Sequence, residues 1–156
     1  MFSRLFEKEK ERIAHHLKEA LLIEHVGSTA IPGLGGKGII DIAIGVQQDK
    51  MQHICTALQQ LGYEFRQAYS TQDRLYFIIY LPDPEEGERR YHIHLTYPES
   101  HDWKDLIHFR DYLRAHSEEA LEYASLKEKA AAIANQNGDL YRKLKEPIFE
   151  KIRHKK

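Results

Sequence analysis

The sequence predicts an α+β domain in which a mixed β-sheet is flanked by helices and followed by a helical C-terminal layer. Short apolar runs of strand length, separated by turn residues, occupy most of residues 21–97. One helical pattern, at 49–61, interrupts them, and from residue 101 onward the pattern is helical throughout. Strands that are followed by a run of helices are typical of α+β domains.

Each element rests on its own pattern. Helices are predicted where apolar residues recur every three or four positions, at 2–20, 49–61, 103–115, 117–134 and 136–153. Strands are predicted where apolar and β-branched residues cluster between turns, at 21–26, 38–46, 63–69, 74–81 and 89–97. Glycines and a proline favour a turn at 27–37, with room for one helical turn after Ser28, and 82–88 is expected to be an exposed loop.

Composition limits the possible partners. With 156 residues the chain is expected to form a single domain, 1–156, and its net charge of -1 makes binding to nucleic acid an unlikely function. The single cysteine, Cys55, excludes an internal disulfide and a thiolate metal cage, which fits a reducing cytoplasm. No apolar run approaches the roughly 20 residues that span a bilayer. The oligomeric state is left open.

The strand at 38–46 has one face that is unusual for a core strand. Isoleucines occupy one face, whereas Asp41, Ala43 and Gly45 occupy the other. The small residues either let a helix pack closely or leave room for a ligand. Because a buried carboxylate without a partner is costly, Asp41 is expected to contact a metal ion, Lys37 or backbone amides.

Of two glycine patterns near this strand, one is rejected as a nucleotide-binding motif and the other is a candidate anion site. Residues 33–38 spell G-x-G-x-x-G, but the pattern leads into a strand instead of opening a helix, so a dinucleotide fingerprint is rejected. Gly27-Ser28 follows a strand and could bind an anion through free amides and a hydroxyl. The alternative is that Ser28 only caps a helical turn.

A pair of histidines is the second candidate cluster. His92 and His94 alternate with apolar residues, so both point to the same face of a strand. They could ligate one metal ion together with Asp41 or Glu24, and imidazole favours Zn²⁺ or Mn²⁺ over Mg²⁺. The alternative is that both rings only form hydrogen bonds on a polar sheet face. Glu24 and His25 are expected on opposite faces of their strand.

Several motifs together resemble the GrpB-like family, and the resemblance covers nearly the whole chain. They are Ile23-Glu24-His25-Val26-Gly27-Ser28-Thr29-Ala30-Ile31-Pro32-Gly33-Leu34, Lys37-Gly38-Ile39-Ile40-Asp41-Ile42, His92-Ile93-His94-Leu95, Phe109-Arg110-Asp111-Tyr112-Leu113-Arg114-Ala115-His116, Glu122-Tyr123-Ala124 and Leu126-Lys127, with Tyr141, Lys145 and Phe149. This family is grouped with the nucleotidyltransferase superfamily, and related domains are fused to dephospho-CoA kinase. The resemblance implies a nucleotidyltransferase-like sheet.

The resemblance also implies a set of site residues. Gly27 and Ser28 match the Gly-Ser element of the superfamily, and Asp41 matches its first acid, which holds Mg²⁺ or Mn²⁺. The second acid of the pattern falls on Ala43, which cannot ligate a metal. Basic residues at motif positions are expected to neutralise phosphate charge, namely Lys37, Arg74, Arg110, Arg114 and Lys145. For Arg110 and Arg114 the alternative to phosphate binding is a surface salt bridge to Asp111 or Glu118.

The expected function is binding of a nucleotide or another phosphate-bearing small molecule. If the chain is an enzyme, Asp41 and Ser28 would be its catalytic residues, and a divalent metal, Mg²⁺ or Mn²⁺ with Zn²⁺ as a further candidate, would assist nucleotidyl or phosphoryl transfer. Ala43 supports the alternative of a catalytically degenerate nucleotide- or coenzyme-binding or regulatory module. A third interpretation is a metal-dependent hydrolase that uses His92 and His94.

Overall fold

The computed structural model describes residues 2–19, 21–34, 38–134 and 138–153. Its centre is a five-stranded sheet with the strand order β1-β2-β5-β4-β3. The strands are β1 Leu22–Val26, β2 Ile40–Gly45, β3 Glu64–Phe65, β4 Leu75–Asp83 and β5 Gly87–Thr96. The pair β2 and β5 is parallel and the other pairs are antiparallel, so the sheet is mixed.

Helices cover the sheet and continue into a C-terminal layer. They are α1 Phe2–Leu17, α2 Met51–Gln60, α3 His101–Ala115, α4 Ser117–Ala134 and α5 Gly138–Arg153. Short 3-10 turns lie at Ser28–Ala30, Gln48–Lys50 and Gln67–Tyr69. This arrangement confirms the predicted α+β fold. No described helix combines the length and the apolar character needed to cross a membrane.

The two faces of β2 have different neighbours. Ile40, Ile42 and Ile44 are fully buried in a core that also contains side chains of α1 and α2. On the opposite face, α3 packs against the sheet, and a Cβ added to Gly45 would lie 3.0 Å from the ring of Trp103. Gly45 therefore serves close helix packing, which was one of the two roles considered for the small residues of this strand.

The turn after β1 is held by the C-terminal helices. Ile31 and Leu34 are buried in a second apolar cluster with Phe109, Leu113 and Tyr123 of α3 and α4. The sheet and the helical layer thus meet at the turn that carries Gly27 and Ser28.

Two of the predicted elements differ from the structure for identifiable reasons. The strand predicted at 63–69 is reduced to Glu64–Phe65, because the Ser70 hydroxyl donates to the Arg66 carbonyl at 2.9 Å and accepts the Tyr76 amide at 3.0 Å. The loop predicted at 82–88 is shorter, because β4 and β5 continue through most of it as a hairpin. There the buried Asp83 carboxylate accepts hydrogen bonds from the backbone amides of Glu85 and Glu86 and from the Arg89 guanidinium.

Candidate functional site: a carboxylate and two imidazoles beside the Gly27 turn

The strand register places the candidate residues in two rows across one face of the sheet, because residues paired across strands share a face. One row runs across β1, β2, β5 and β4 through Val26, Asp41, His92 and Ile78. The adjacent row runs through Glu24, Ala43, His94 and Tyr76. Ala43, at the position of the missing second acid, is thus flanked by a carboxylate-bearing residue on one strand and an imidazole on the other.

Asp41 is the centre of a hydrogen-bonded cluster. Its Oδ1 lies 3.3 Å from His94 Nε2 and 3.4 Å from His92 Nδ1, and its side chain is 22% exposed. The Tyr76 hydroxyl is hydrogen-bonded to the same nitrogen of His92. Burial opposes ionisation of Asp41, but the hydrogen bonds with His92 and His94 outweigh it and hold the pKa of the carboxyl well below its usual range. Asp41 is therefore a carboxylate at neutral pH.

The remaining ring nitrogens of the two histidines are buried. His92 Nε2 and His94 Nδ1 have no hydrogen-bond partner in the part of the chain that the structure describes. Burial lowers the pKa of His92, although Asp41 opposes this, so its ring is neutral at neutral pH. Neutral imidazole is the form that binds metals.

This donor set has the chemistry of a metal site, but its side chains form a hydrogen-bonded arrangement. One carboxylate and two imidazoles suit Mn²⁺ or Zn²⁺ better than Mg²⁺. Among the described residues, however, no group of three or more His, Cys, Asp or Glu side chains is arranged to hold an ion. To bind one metal ion together with Asp41, the imidazole rings of His92 and His94 would have to reorient. The metal site stays a prediction.

The Gly27 turn lies directly against Asp41. Gly27 has a φ of +73°, and a Cβ added to it would lie 2.5 Å from Asp41 Oδ2. The register explains this proximity, because Val26 is paired with Asp41. Gly27 and Asp41, which are separated by 14 positions in sequence, therefore lie side by side in the fold.

Ser28 is contacted by a residue that was not selected from the sequence as a site residue. Lys127 of α4 donates from Nζ to Ser28 Oγ at 2.8 Å. Gly27, not Ser28, is the cap of the 3-10 turn, and no side chain caps it. The Ser28 hydroxyl thus accepts a hydrogen bond from a cation. It does not cap its own turn, which was the alternative role considered for it.

The two arginines of α3 attach that helix to β1 and its turn. Arg110 donates from Nη1 to Glu24 Oε2 at 3.1 Å and to the His25 carbonyl at 3.2 Å, and from Nε to Asp111 at 2.9 Å. Arg114 donates to the Ala30 carbonyl at 2.8 Å. The salt bridge to Asp111 considered for Arg110 is present. Glu24 contacts Arg110 on the same face of the sheet as Asp41.

Arg74 is not placed beside Gly27, and two other predicted cations lie outside the described part of the chain. Arg74 precedes β4 and lies 4.0 Å from Asp102. Its neighbour Leu75 is paired with Leu95, three residues from His92 along β5, which is roughly 10 Å. Lys37 and the side chain of Lys145 lie outside the described residues. As predicted, His25 is on the face opposite Glu24, where it stacks on Phe6 with ring centroids 4.8 Å apart.

A separate apolar groove of about 480 Å³ lies between α4 and α5. Its walls include Tyr123, Leu126, Ile133 and Pro147. None of the predicted site residues lines it, so the groove and the Asp41 cluster are different places on the molecule.

Comparison with known proteins identifies the relatives of this chain. A family model described as GrpB protein matches residues 1–155. The chain belongs to the GrpB family. This family is in the nucleotidyltransferase-like superfamily, which agrees with the resemblance seen in the sequence. The crystal structure of conserved protein GrpB from Enterococcus faecalis is similar, with a TM-score of 0.79 and 28% identity, over 97% of this chain and 90% of that chain.

Curated GrpB relatives differ in length from this chain. A UPF0157 protein of Pseudomonas aeruginosa is 34% identical over 131 residues, which are 83% of this chain and 53% of that protein. YqkA of Bacillus subtilis is 33% identical over 129 residues, 81% of this chain and 36% of YqkA. The glutamate-rich protein GrpB of Alkalihalophilus pseudofirmus is 32% identical over 133 residues, 83% of this chain and 76% of that protein. The chain thus spans about half, and about a third, of the first two relatives.

Proposed function

We propose that this GrpB-family chain binds a phosphate-bearing small molecule, specifically a nucleotide, where the Gly27 turn meets Asp41, and that it catalyses divalent-metal-dependent nucleotidyl or phosphoryl transfer. The observation that carries the proposal is the approach of Gly27 to Asp41, where a Cβ would lie 2.5 Å from the carboxylate. A phosphate on Ser28 would consequently be close to the Asp41 carboxylate.

Electrostatics supports a role for a divalent ion in this proposal. Asp41 is ionised, so it repels a phosphate bound beside it unless a cation lies between them. Asp41, His92 and His94 are the residues that would hold the ion. When bound, such an ion polarises a phosphoryl oxygen and neutralises charge that develops during transfer.

The protein's own groups have definite roles in the proposal. Ser28 offers a hydroxyl to the phosphate, and Gly27, which has no side chain, leaves room for the Asp41 carboxylate beside the turn. The hydrogen bonds with His92 and His94 keep Asp41 ionised. Tyr76 orients the ring of His92 through its hydroxyl. These groups bind the phosphate or orient the side chains around it. Their roles do not depend on the second acid, which is missing at Ala43.

Ala43 favours a second candidate, a nucleotide- or coenzyme-binding module that performs no transfer. Its side chain is fully buried and cannot ligate. A two-metal mechanism uses carboxylates to fix both ions. The binding site would then remain functional after the loss of catalysis, and the chain would act as a regulatory or partner domain.

Metal-dependent nucleotide binding tests the proposal. Thermal unfolding is recorded with and without ATP and MnCl₂ for the wild type, for Asp41→Asn and for the control Asp49→Asn, which changes an exposed carboxylate. We expect Mn²⁺ and ATP together to stabilise the wild type and the control but not Asp41→Asn. Ligand at 100 times its dissociation constant adds about 2.7 kcal/mol. Equal shifts in all three proteins, or none, would contradict the proposal.

An assay for released pyrophosphate or phosphate then separates the two candidates. Release that requires Mn²⁺ and Asp41 supports the transferase. Binding without release, across the nucleoside triphosphates and with simple alcohols as acceptors, supports the binding module.

A further inference from the structure

We propose that Lys127 is a ligand-binding residue of this site and that its ammonium group binds the same phosphate as the Ser28 hydroxyl. The inference rests on the proposed function and adds to it the residue that supplies positive charge. The chemical class of ligand is a polyphosphate, because a serine hydroxyl and a lysine ammonium together match phosphate oxygens that carry charge.

The position of Lys127 within α4 is the first argument. Residues 120, 123, 127, 130 and 134 follow the 3-4-3-4 spacing of one helix face. The other four members of this stripe are Ala120, Tyr123, Ala130 and Ala134, and each is at most 5% exposed. Lys127 is partly buried in this otherwise apolar stripe, and the desolvation of part of its charge points to a specific partner.

The contact between Lys127 and Ser28 is the second argument. Nζ donates to Ser28 Oγ at 2.8 Å, so a lone pair of the hydroxyl oxygen is occupied and the hydroxyl proton can be donated. Chains of hydrogen bonds polarise one another, so a cation on Oγ makes Ser28 a better donor to an anion. The pair therefore presents a donor and a positive charge together.

The charges around the turn give the third argument. Arg110 is paired with Glu24 and Asp111, and Arg114 donates to the Ala30 carbonyl. Asp41 contributes a negative charge beside Gly27. A phosphate that enters this turn would need a compensating positive charge, and Lys127 brings one into contact with Ser28.

A structural role is the competing explanation. Lys127 could serve only to attach α4 to the turn, since Ser28 and Lys127 are 99 positions apart in sequence. In that case its removal would lower the stability of the fold and leave phosphate affinity unchanged. Binding and stability must therefore be measured separately.

Binding of inorganic tripolyphosphate in the presence of saturating Mn²⁺ tests the inference. Calorimetric titrations compare the wild type with Lys127→Met, with the charge-conserving Lys127→Arg, and with the control Lys129→Met, which changes an exposed lysine on the same helix. Circular dichroism and thermal unfolding confirm that each variant is folded at the temperature of the titration. We expect Lys127→Met to weaken binding about tenfold or more, while Lys127→Arg and Lys129→Met stay close to the wild type.

A double variant tests whether the two groups share one phosphate. If they do, Ser28→Ala combined with Lys127→Met loses less affinity than the two single losses together. Unchanged affinity in Lys127→Met while the wild type binds would overturn the inference and leave the proposed function standing. If the wild type binds neither tripolyphosphate nor ATP with Mn²⁺, both the proposed function and the inference fail.

Discussion

Gly27 and Asp41 lie so close together that no side chain fits between them. A Cβ on Gly27 would be 2.5 Å from Asp41 Oδ2 and 3.0 Å from Asp41 Cβ. Two features therefore require glycine at position 27, namely this contact and the φ of +73°. A mutation there tests the geometry of the site without removing any of its functional groups.

Gly27→Ala is expected to destabilise the protein far more than Gly33→Ala. Both glycines have positive φ, but a Cβ on Gly33 would meet nothing within 4 Å. Gly33→Ala should cost about 1 kcal/mol for the backbone conformation alone. Gly27→Ala should cost about 3 kcal/mol or more, because the carboxylate of Asp41 must also move. Denaturant unfolding measures both losses.

The same comparison has an internal control. In an Asp41→Ala background the Oδ2 atom is absent, so the difference between Gly27→Ala and Gly33→Ala should shrink. Equal losses at the two glycines in the native background would show that the turn does not press on Asp41.

His25 is expected to make the stability depend on pH below neutrality. Burial, with the charges of Arg114 and Arg110, lowers its pKa to about 4 in the fold, although Asp41 opposes this. The unfolded chain takes up a proton near pH 6.5, whereas the folded chain does not until about pH 4, so the unfolding free energy falls as the pH decreases through this window. Between pH 7 and pH 5 this one group should cost about 2 kcal/mol.

His25→Phe measures this contribution, because a phenyl ring keeps the stacking on Phe6 and cannot titrate. We expect its stability to fall about 2 kcal/mol less than that of the wild type between pH 7 and pH 5. His53→Gln, which removes an exposed histidine, should follow the wild type. Parallel pH profiles for the wild type and His25→Phe would contradict the assignment.

The sequence allowed the local parts of the site to be predicted. Strand alternation placed Asp41 on the face with Ala43 and Gly45, and His92 with His94, because the period of a strand is a property of consecutive residues. The separation of Glu24 from His25 followed from the same rule. The family motif joined Gly27 to Asp41, and the strand register then explained their contact.

Contacts that depend on the packing of distant elements could not be predicted in this way. Lys127 reaches Ser28 from a helix 99 positions away, although its place on the buried stripe of α4 was a visible signal. Glu9 is 3% exposed although it carries a charge, because Arg12 and Tyr63 bind its carboxylate. In both cases a partner that is distant in sequence, Ser28 for Lys127 and Tyr63 for Glu9, helps to offset the cost of burying a charge.

Arg110 is expected to matter more for folding than for ligand affinity. Its guanidinium binds Glu24, the His25 carbonyl and Asp111, and the residue is 8% exposed. Arg110→Met should therefore lower the unfolding free energy by about 2 kcal/mol. Glu24→Gln, at a side chain that is 46% exposed, should cost less than about 1 kcal/mol. Urea unfolding checks both values, and titration with ATP and Mn²⁺ at a temperature where both variants are folded should give affinities near the wild type. A tenfold loss of affinity in folded Arg110→Met would instead identify it as a phosphate ligand.

Ala43→Asp is expected to restore the second acid of the superfamily pattern, with opposite effects in the absence and presence of metal. Position 43 is fully buried, between Glu24 on β1 and His94 on β5, and two residues from Asp41. Without metal the new carboxylate is desolvated and repelled by Asp41, which should cost about 3 kcal/mol of unfolding free energy. With Mn²⁺ at saturating concentration much of this loss should return, because an ion bound only by the folded state stabilises it. Ala43→Ser, which adds a small polar group without charge, is the control and should show little of either effect. If Mn²⁺ stabilises both proteins equally, position 43 adds no metal ligand; if it stabilises neither, this face of the sheet does not bind divalent ions and the metal-dependent part of the proposed function is wrong.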